Sequence, residues 1–164
     1  MGEWIYSQYV CPIGKLIMAG EGQVLTGLWI EGQSYFGSKD HPIQWGEAPV
    51  FEDTRRWLRA YFAGEDPGPT PPLAPEGSPF RRQVWEILGA IPRGQTTTYG
   101  AIAGELAKKN GKPAAPQAVG GAVGHNPISI LIPCHRVLGA DGSLTGYAGG
   151  LEKKEYLLRL EKIL

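Results

Sequence analysis

The chain has 164 residues, 42% of them hydrophobic, with 16 basic and 16 acidic side chains, so it can bury one sizeable core or two small ones. It has no run of 18 apolar residues and no basic flank leading into an apolar segment near its start, which predicts a cytoplasmic protein without a signal peptide or membrane span. The zero net charge hides an asymmetry: residues 1–79 carry 5 basic and 10 acidic side chains and residues 80–164 carry 11 and 6, the pattern expected when one half meets a polyanion.

Short apolar runs from Trp4 to Val10, Lys15 to Ala19 and Val24 to Ile30 are separated by Pro12-Ile13-Gly14 and Gly20-Glu21-Gly22, and read as antiparallel strands joined by tight turns. From Val50 to Phe62, Val50, Trp57, Leu58, Tyr61 and Phe62 recur at helical intervals, with Glu52 and Arg56 as an i,i+4 pair and Gly64 closing the helix. Residues 64–79 hold six prolines, so neither helix nor sheet continues through them. They mark a linker between an acidic, strand-rich domain (1–79) and a basic, helical one (80–164).

Ser78 and Pro79 form a helix start, with Phe80, Val84, Trp85 and Leu88 on one face. Thr98 caps a second helix, Tyr99 to Ala107, with Ile102 and Leu106 facing inward. A third follows from Pro116 to Gly124 after a basic turn, which makes a helix-turn-helix. That third helix carries three glycines in Gln117-Ala118-Val119-Gly120-Gly121-Ala122-Val123-Gly124, each costing about 1 kcal/mol relative to alanine. Two readings stand: tight packing against a neighbouring helix, or close approach by something such as a DNA minor groove. The last segment, Leu151 to Leu164, is amphipathic, and Glu161 projects from its apolar side, where it needs a donor such as a nearby Arg or His, with His135 a candidate.

The pentad Ile132-Pro133-Cys134-His135-Arg136 follows the apolar run Ile128-Ser129-Ile130-Leu131, which places a free thiol at the end of a buried strand beside a titratable ring and a guanidinium. An ordinary thiol is a few per cent ionised at neutral pH, so a reactive one needs a base or a cation, and Glu161 can orient the imidazole to complete a Cys/His/Glu relay. The other cysteine, Cys11, has no acid or base beside it. Two cysteines without CxxC spacing and three scattered histidines suggest free thiols in a reducing compartment, with no disulfide framework and no metal site. His41 and His125 read as solvent-facing, with His125 near DNA, and Arg81, Arg82, Lys108, Lys109 and Lys112 as a phosphate-facing set.

Ile132-Pro133-Cys134-His135-Arg136-Val137, with Asn126-Pro127 upstream and Gly146-Tyr147-Ala148-Gly149-Gly150-Leu151 downstream, closely resembles the 6-O-alkylguanine-DNA alkyltransferases. The likeness covers 79–164, and more loosely the hairpins between Ser7 and Ile30. It implies an α+β protein: an N-terminal ribonuclease-H-like antiparallel sheet with one helix, and a C-terminal winged-helix-like domain bearing the helix-turn-helix. It also implies stoichiometric DNA repair without cofactor, in which Cys134 takes the alkyl group from 6-O-alkylguanine, and from 4-O-alkylthymine, after base flipping. The partner would be double-stranded DNA bound through the minor groove by a monomer, with cooperative binding left open.

By the same resemblance, His135 draws the thiol proton through a water, Glu161 holds His135, Asn126 is a hinge, and Tyr99 crowds the flipped nucleotide and donates to the base. Tyr99, Val137, Tyr147 and Ala148 would bind the base. Arg81, Tyr99, Gln117, Ala118, Gly121 and Arg136 would meet DNA, Arg136 being structural as well. Gln117 stands where many relatives have the arginine that fills the gap left by the extruded base, which implies weaker and less salt-sensitive binding. A cysteine hydrolase fits less well because its Cys and His come from distant segments, and a repair-incompetent lesion binder fits less well because Cys134 is intact.

Overall fold

The glycine-punctuated N-terminal runs form β1 (Ile5–Cys11), β2 (Gly14–Glu21) and β3 (Val24–Ile30), an antiparallel sheet in the order β1-β2-β3. The computed structural model describes residues 3–164, which fall into two compact units: one running to Glu76 and taking in Pro127–Ser129, and one of Gly77–Asn126 with Ile130–Leu164. In the first unit, α1 (Pro49–Phe62) packs on the sheet and buries Val50, Phe51, Leu58 and Tyr61. Each such side chain contributes about 1.5–3 kcal/mol. Gly20 is small because a Cβ there would stand 2.7 Å from Val50 Cγ1. The sequence pairing of Glu52 with Arg56 does not form. Arg56 pairs with Asp53 at 3.0 Å and Glu52 with Arg55 at 3.7 Å, since a carboxylate three residues away is equally in reach on a helix, while Arg55 also reaches Glu47 ahead of the helix at 2.8 Å.

The proline-rich stretch is less free than a linker. Leu25 donates its N–H to the Pro72 carbonyl (2.9 Å) and accepts from Ala74 (2.9 Å), so Leu73 lies along the outer edge of β3. Proline is tolerated on such an edge because its carbonyl still accepts. Further along the same edge, Leu28 donates to Pro127 (2.8 Å) and accepts from Ser129 (2.9 Å). His41 is also less open than expected, with its ring stacked on Trp4 at 3.9 Å and Nε2 lying 3.0 Å from Glu76.

The second unit contains α2 (Pro79–Gly89), β4 (Thr97–Thr98), α3 (Tyr99–Asn110), α4 (Pro116–Gly124), a 3-10 turn (Cys134–Arg136), β5 (Val137–Leu138) and α5 (Leu151–Leu160). The Ser78 hydroxyl accepts from Arg81 N (3.2 Å) and that of Thr98 from Ala101 N (3.1 Å), which fixes the starts of α2 and α3. Gly111, at φ 72°, ends α3 in the left-handed conformation. Helices α2, α3 and α4 pack together, and β4 pairs in parallel with β5. That two-residue ladder ties the start of α3, and therefore Tyr99, to the backbone just after Cys134.

The buried strand expected before Cys134 is absent. Residues 128–134 are buried as expected, but Ile130 adopts φ 73°, and Cys134 opens a 3-10 turn. The periodicity of a short apolar run does not distinguish a strand from a buried irregular segment, and flanking Pro127 and Pro133 limit ladder pairing. Among the described residues no helix is long and apolar enough to cross a membrane.

Trp85 (3% exposed) donates from Nε1 to the carbonyl of Ala122, at 2.8 Å, near the end of α4. Trp85→Phe removes that donor and leaves a buried carbonyl unpaired, so the urea unfolding free energy is expected to fall by about 1–3 kcal/mol. No change in the transition would mean that α4 is held by packing alone.

Candidate active site

The centre of the site is the Glu161 carboxylate, carried just past the last turn of α5 with its side chain fully buried. Oε2 lies 2.6 Å from His135 Nε2 and accepts from Arg136 Nη2 at 3.1 Å. Oε1 accepts from Arg136 Nε at 2.8 Å and from the Gly94 backbone at 3.2 Å. Arg136 Nη1 donates to the Ile91 carbonyl at 2.7 Å. A buried carboxylate is tolerable only with this degree of compensation.

An ionised carboxylate only accepts, so His135 Nε2 carries the proton facing Glu161, and Nδ1 of the neutral ring is an acceptor. Burial pushes the His135 pKa down, and Arg136 and Lys154 push the same way against Glu161. Although the His135–Glu161 distance suits an ion pair, the guanidinium already balances the carboxylate, and the imidazole stays neutral. Burial pushes the Cys134 thiol up, opposed by a hydrogen bond with Asn126 and by the charge of Lys154. The resting pair is therefore a neutral thiol beside a neutral base.

Asn126, buried just beyond α4, donates from Nδ2 to the Ile132 carbonyl at 2.7 Å and also bonds the thiol. It thus links the end of the helix to the turn that carries Cys134. Cys134 faces a cavity of about 110 Å³ lined also by Tyr99, Gly120, Val123, Gly124, Gly146, Tyr147 and Ala148. The Tyr99 hydroxyl donates to the Thr145 carbonyl at 3.4 Å across its mouth. A larger cavity of about 560 Å³ in the first unit, beside Trp4, His41 and four carboxylates, has no thiol or hydroxyl side chain among its described lining residues.

Of the residues predicted for base binding, Tyr99, Tyr147 and Ala148 line the Cys134 cavity. Val137 does not, because it is fully buried, paired with Thr97, and its carbonyl is taken by Lys154. Gln117 and Ala118 are exposed at the start of α4, Gly121 is half-buried along it, and Arg81 is half-buried in the first turn of α2. The expectation that Arg136 meets DNA is corrected: it is 8% exposed and its guanidinium is engaged by Glu161 and Ile91. A Cβ on Gly120, Gly121 or Gly124 would meet nothing within 4 Å, so packing inside the protein does not explain these glycines. Among the described residues no group of three or more His, Cys, Asp or Glu is placed to hold a metal ion.

Lys154 was missed. It is fully buried on the inner face of α5, and Nζ donates to the carbonyls of Val137 (2.6 Å), Thr145 (2.8 Å) and Gly146 (3.1 Å). It latches the loop that supplies Gly146, Tyr147 and Ala148 to the cavity wall. Its pKa is lowered to about 8 by burial, against the pull of Cys134. The sequence held a signal: Lys154 shares the i, i+3, i+4, i+7 stripe of Leu157, Leu158 and Glu161.

A cysteine walled into a cavity, next to a braced histidine and behind a helix-turn-helix, defines a class of DNA-associated proteins that use a thiol as nucleophile. Residues 4–74 match the 6-O-methylguanine DNA methyltransferase ribonuclease-like domain, and residues 79–163 match the DNA binding domain of the same family. The chain is 45% identical over 159 residues to the methylated-DNA–protein-cysteine methyltransferase of Haemophilus influenzae, with 96% of this chain and 86% of that one covered. It is 45% identical over 158 residues to the protein of that name from Methanosarcina acetivorans, with 95% and 97% covered. The crystal structure of Mycobacterium tuberculosis OGT in complex with DNA superposes with a TM-score of 0.84 at 44% identity, covering 96% of this chain and 92% of that one. This chain belongs to the 6-O-methylguanine DNA methyltransferase family.

The Lys154 charge favours the thiolate, so Lys154→Met is expected to slow iodoacetamide labelling of Cys134 severalfold at neutral pH, followed by peptide mass mapping with Cys11 as internal reference. The gap between wild type and variant should close above pH about 8, where Lys154 itself loses its proton. Faster labelling of the variant would mean that the lysine acts only as a latch on the loop.

Proposed function

We propose that this chain repairs DNA by moving alkyl groups from the 6-oxygen of guanine, and from the 4-oxygen of thymine, irreversibly onto its own Cys134. The observation that carries this reading is the Cys134 thiol at the wall of a small cavity, adjoining a neutral His135 whose other nitrogen is held by Glu161. The lesion atom lies inside a stacked duplex, so the base flips into that cavity at a cost of a few kcal/mol.

His135 takes the thiol proton through a water, and the sulfur attacks the alkyl carbon in line. The carbon–oxygen bond breaks and its electron pair stays on the base oxygen. The base, assisted by Tyr99, takes up one proton, so the net reaction exchanges the thiol proton for the alkyl group. The product thioether offers no route to hydrolysis, so each molecule acts once, and no cofactor enters the scheme. The raised thiol pKa suits this use: the thiolate forms as the lesion arrives and is not exposed to stray electrophiles beforehand.

On this reading residues 80–164 bind DNA and transfer the alkyl group, while residues 1–79 support them. Duplex DNA is met through the minor groove by a monomer in the cytoplasm. Gln117, Ala118 and Gly121 on α4 lie against the groove, Gln117 fills the space of the flipped base, and Arg81 and Tyr99 meet the flanking phosphates. Asn126 keeps α4 and the nucleophile in register, and Tyr147 and Ala148 border the base. The open surface at Gly121, where a Cβ meets no protein atom, supports close approach by DNA.

Intact-mass spectrometry after incubation with a duplex carrying 6-O-methylguanine should show a gain of one methylene that maps to Cys134 and is absent in Cys134→Ala. An unmodified, folded protein after prolonged incubation would refute the function. For the intercalating position, Gln117→Arg should steepen the fall of log affinity with log salt by about 0.9 for one added phosphate contact. Fluorescence anisotropy across a salt series reads this, and an unchanged slope refutes a DNA-facing role for residue 117.

A further inference from the structure

Two glycines of α4 carry a helix cost that the protein's own packing does not require. Gly120 and Gly124 lie one turn apart on the same face, and both line the Cys134 cavity. A Cβ at either would meet no atom within 4 Å. Some glycines are enforced by neighbours: a Cβ on Gly20 would stand 2.7 Å from Val50, and one on Gly139 2.6 Å from the Ser143 hydroxyl; Gly89 and Gly104 are as open as the α4 pair but do not line the cavity. Alanine at 120 or 124 would therefore fit and would strengthen the helix. What the missing side chains leave room for must come from outside.

The position of these glycines says which part of a ligand uses that room. Gly120 and Gly124 line the same small cavity as Cys134, and Gly124 is two residues before Asn126, whose side chain bonds the thiol. The rest of the lining is Tyr99, Val123, Gly146, Tyr147 and Ala148, with the loop latched by Lys154. Gly120 and Gly124 are the lining glycines at which an added Cβ would meet no atom within 4 Å. Building on the alkyl-transfer reading above, we propose that Gly120 and Gly124 are specificity-determining residues: their absent side chains let Cys134 accept alkyl groups of several carbons as well as methyl. Gly121, equally open but not lining the cavity, takes no part in this selection.

The test uses the full chain as wild type and as Gly120→Ala, Gly121→Ala and Gly124→Ala. Single-turnover transfer is measured from duplexes bearing 6-O-methylguanine or 6-O-butylguanine, alongside Tm and affinity for an undamaged duplex. Gly120→Ala and Gly124→Ala should raise Tm yet raise the methyl-to-butyl rate ratio by about tenfold or more, with affinity for undamaged duplex retained. Gly121→Ala should keep the wild-type ratio. An unchanged ratio in both wall variants overturns the proposal, as does an equal fall in both rates together with lost duplex affinity, which would make the glycines DNA contacts. If the wild type transfers neither group, the alkyl-transfer reading fails as well. If it transfers methyl while the ratio ignores the wall, the wall assignment alone fails.

Discussion

The site depends on one buried carboxylate. Glu161 simultaneously engages the imidazole of His135, two nitrogens of Arg136 and the backbone N–H of Gly94. It therefore joins the end of α5, the turn carrying Cys134 and the segment ahead of β4. Removing one partner of such a cluster strands an uncompensated charge, which costs about 3–5 kcal/mol, far more than a surface pair contributes. Orientation of the base and integrity of the fold are here the same interaction. Burial keeps the His135 imidazole neutral, and the fixed charge of Arg136, which balances Glu161, pushes the same way.

Around that cluster the site is arranged to be unreactive at rest. Burial raises the pKa of the thiol and lowers that of the imidazole, so neither charge is present before a ligand arrives. Asn126 and Lys154 work against burial, and both face the sulfur's surroundings from elements that also hold the cavity together. The same two side chains thus shape the space and favour the thiolate within it, so a substitution at either changes geometry and acidity together.

Much of this was legible from residue order. Glycine and proline punctuation marked the strands, and Ser78-Pro79 and Thr98 marked two helix starts within a residue, because capping is local chemistry that does not depend on distant contacts. The Pro-Cys-His-Arg motif pointed to the thiol that lines the cavity, and the odd polar position on the α5 stripe to the carboxylate that holds His135. Other features were not legible. The segment before Cys134 was misread as a strand because burial without alternation does not specify backbone shape. The pairing of Leu73 in the proline-rich linker with β3 was not legible because edge pairing depends on which strand is left uncovered. Lys154 was passed over because lysine on an amphipathic helix is ordinarily solvated, and three carbonyls from two separate segments had to converge before its burial was tolerable. The meaning of the α4 glycines also required coordinates, since only the empty space around each Cβ position separates tight packing from an open wall.

The short run Pro127–Ser129, which hydrogen-bonds to Leu28 on the edge of β3, belongs to the first unit although its neighbours on both sides belong to the second. The covalent order of the halves is thus not their structural partition. A fragment begun after the prolines would carry three residues whose ladder partner had been deleted, and the complementary fragment would end with Leu28 unsatisfied in both directions. Dissection by sequence position would damage each piece at a backbone level that no side-chain substitution could repair.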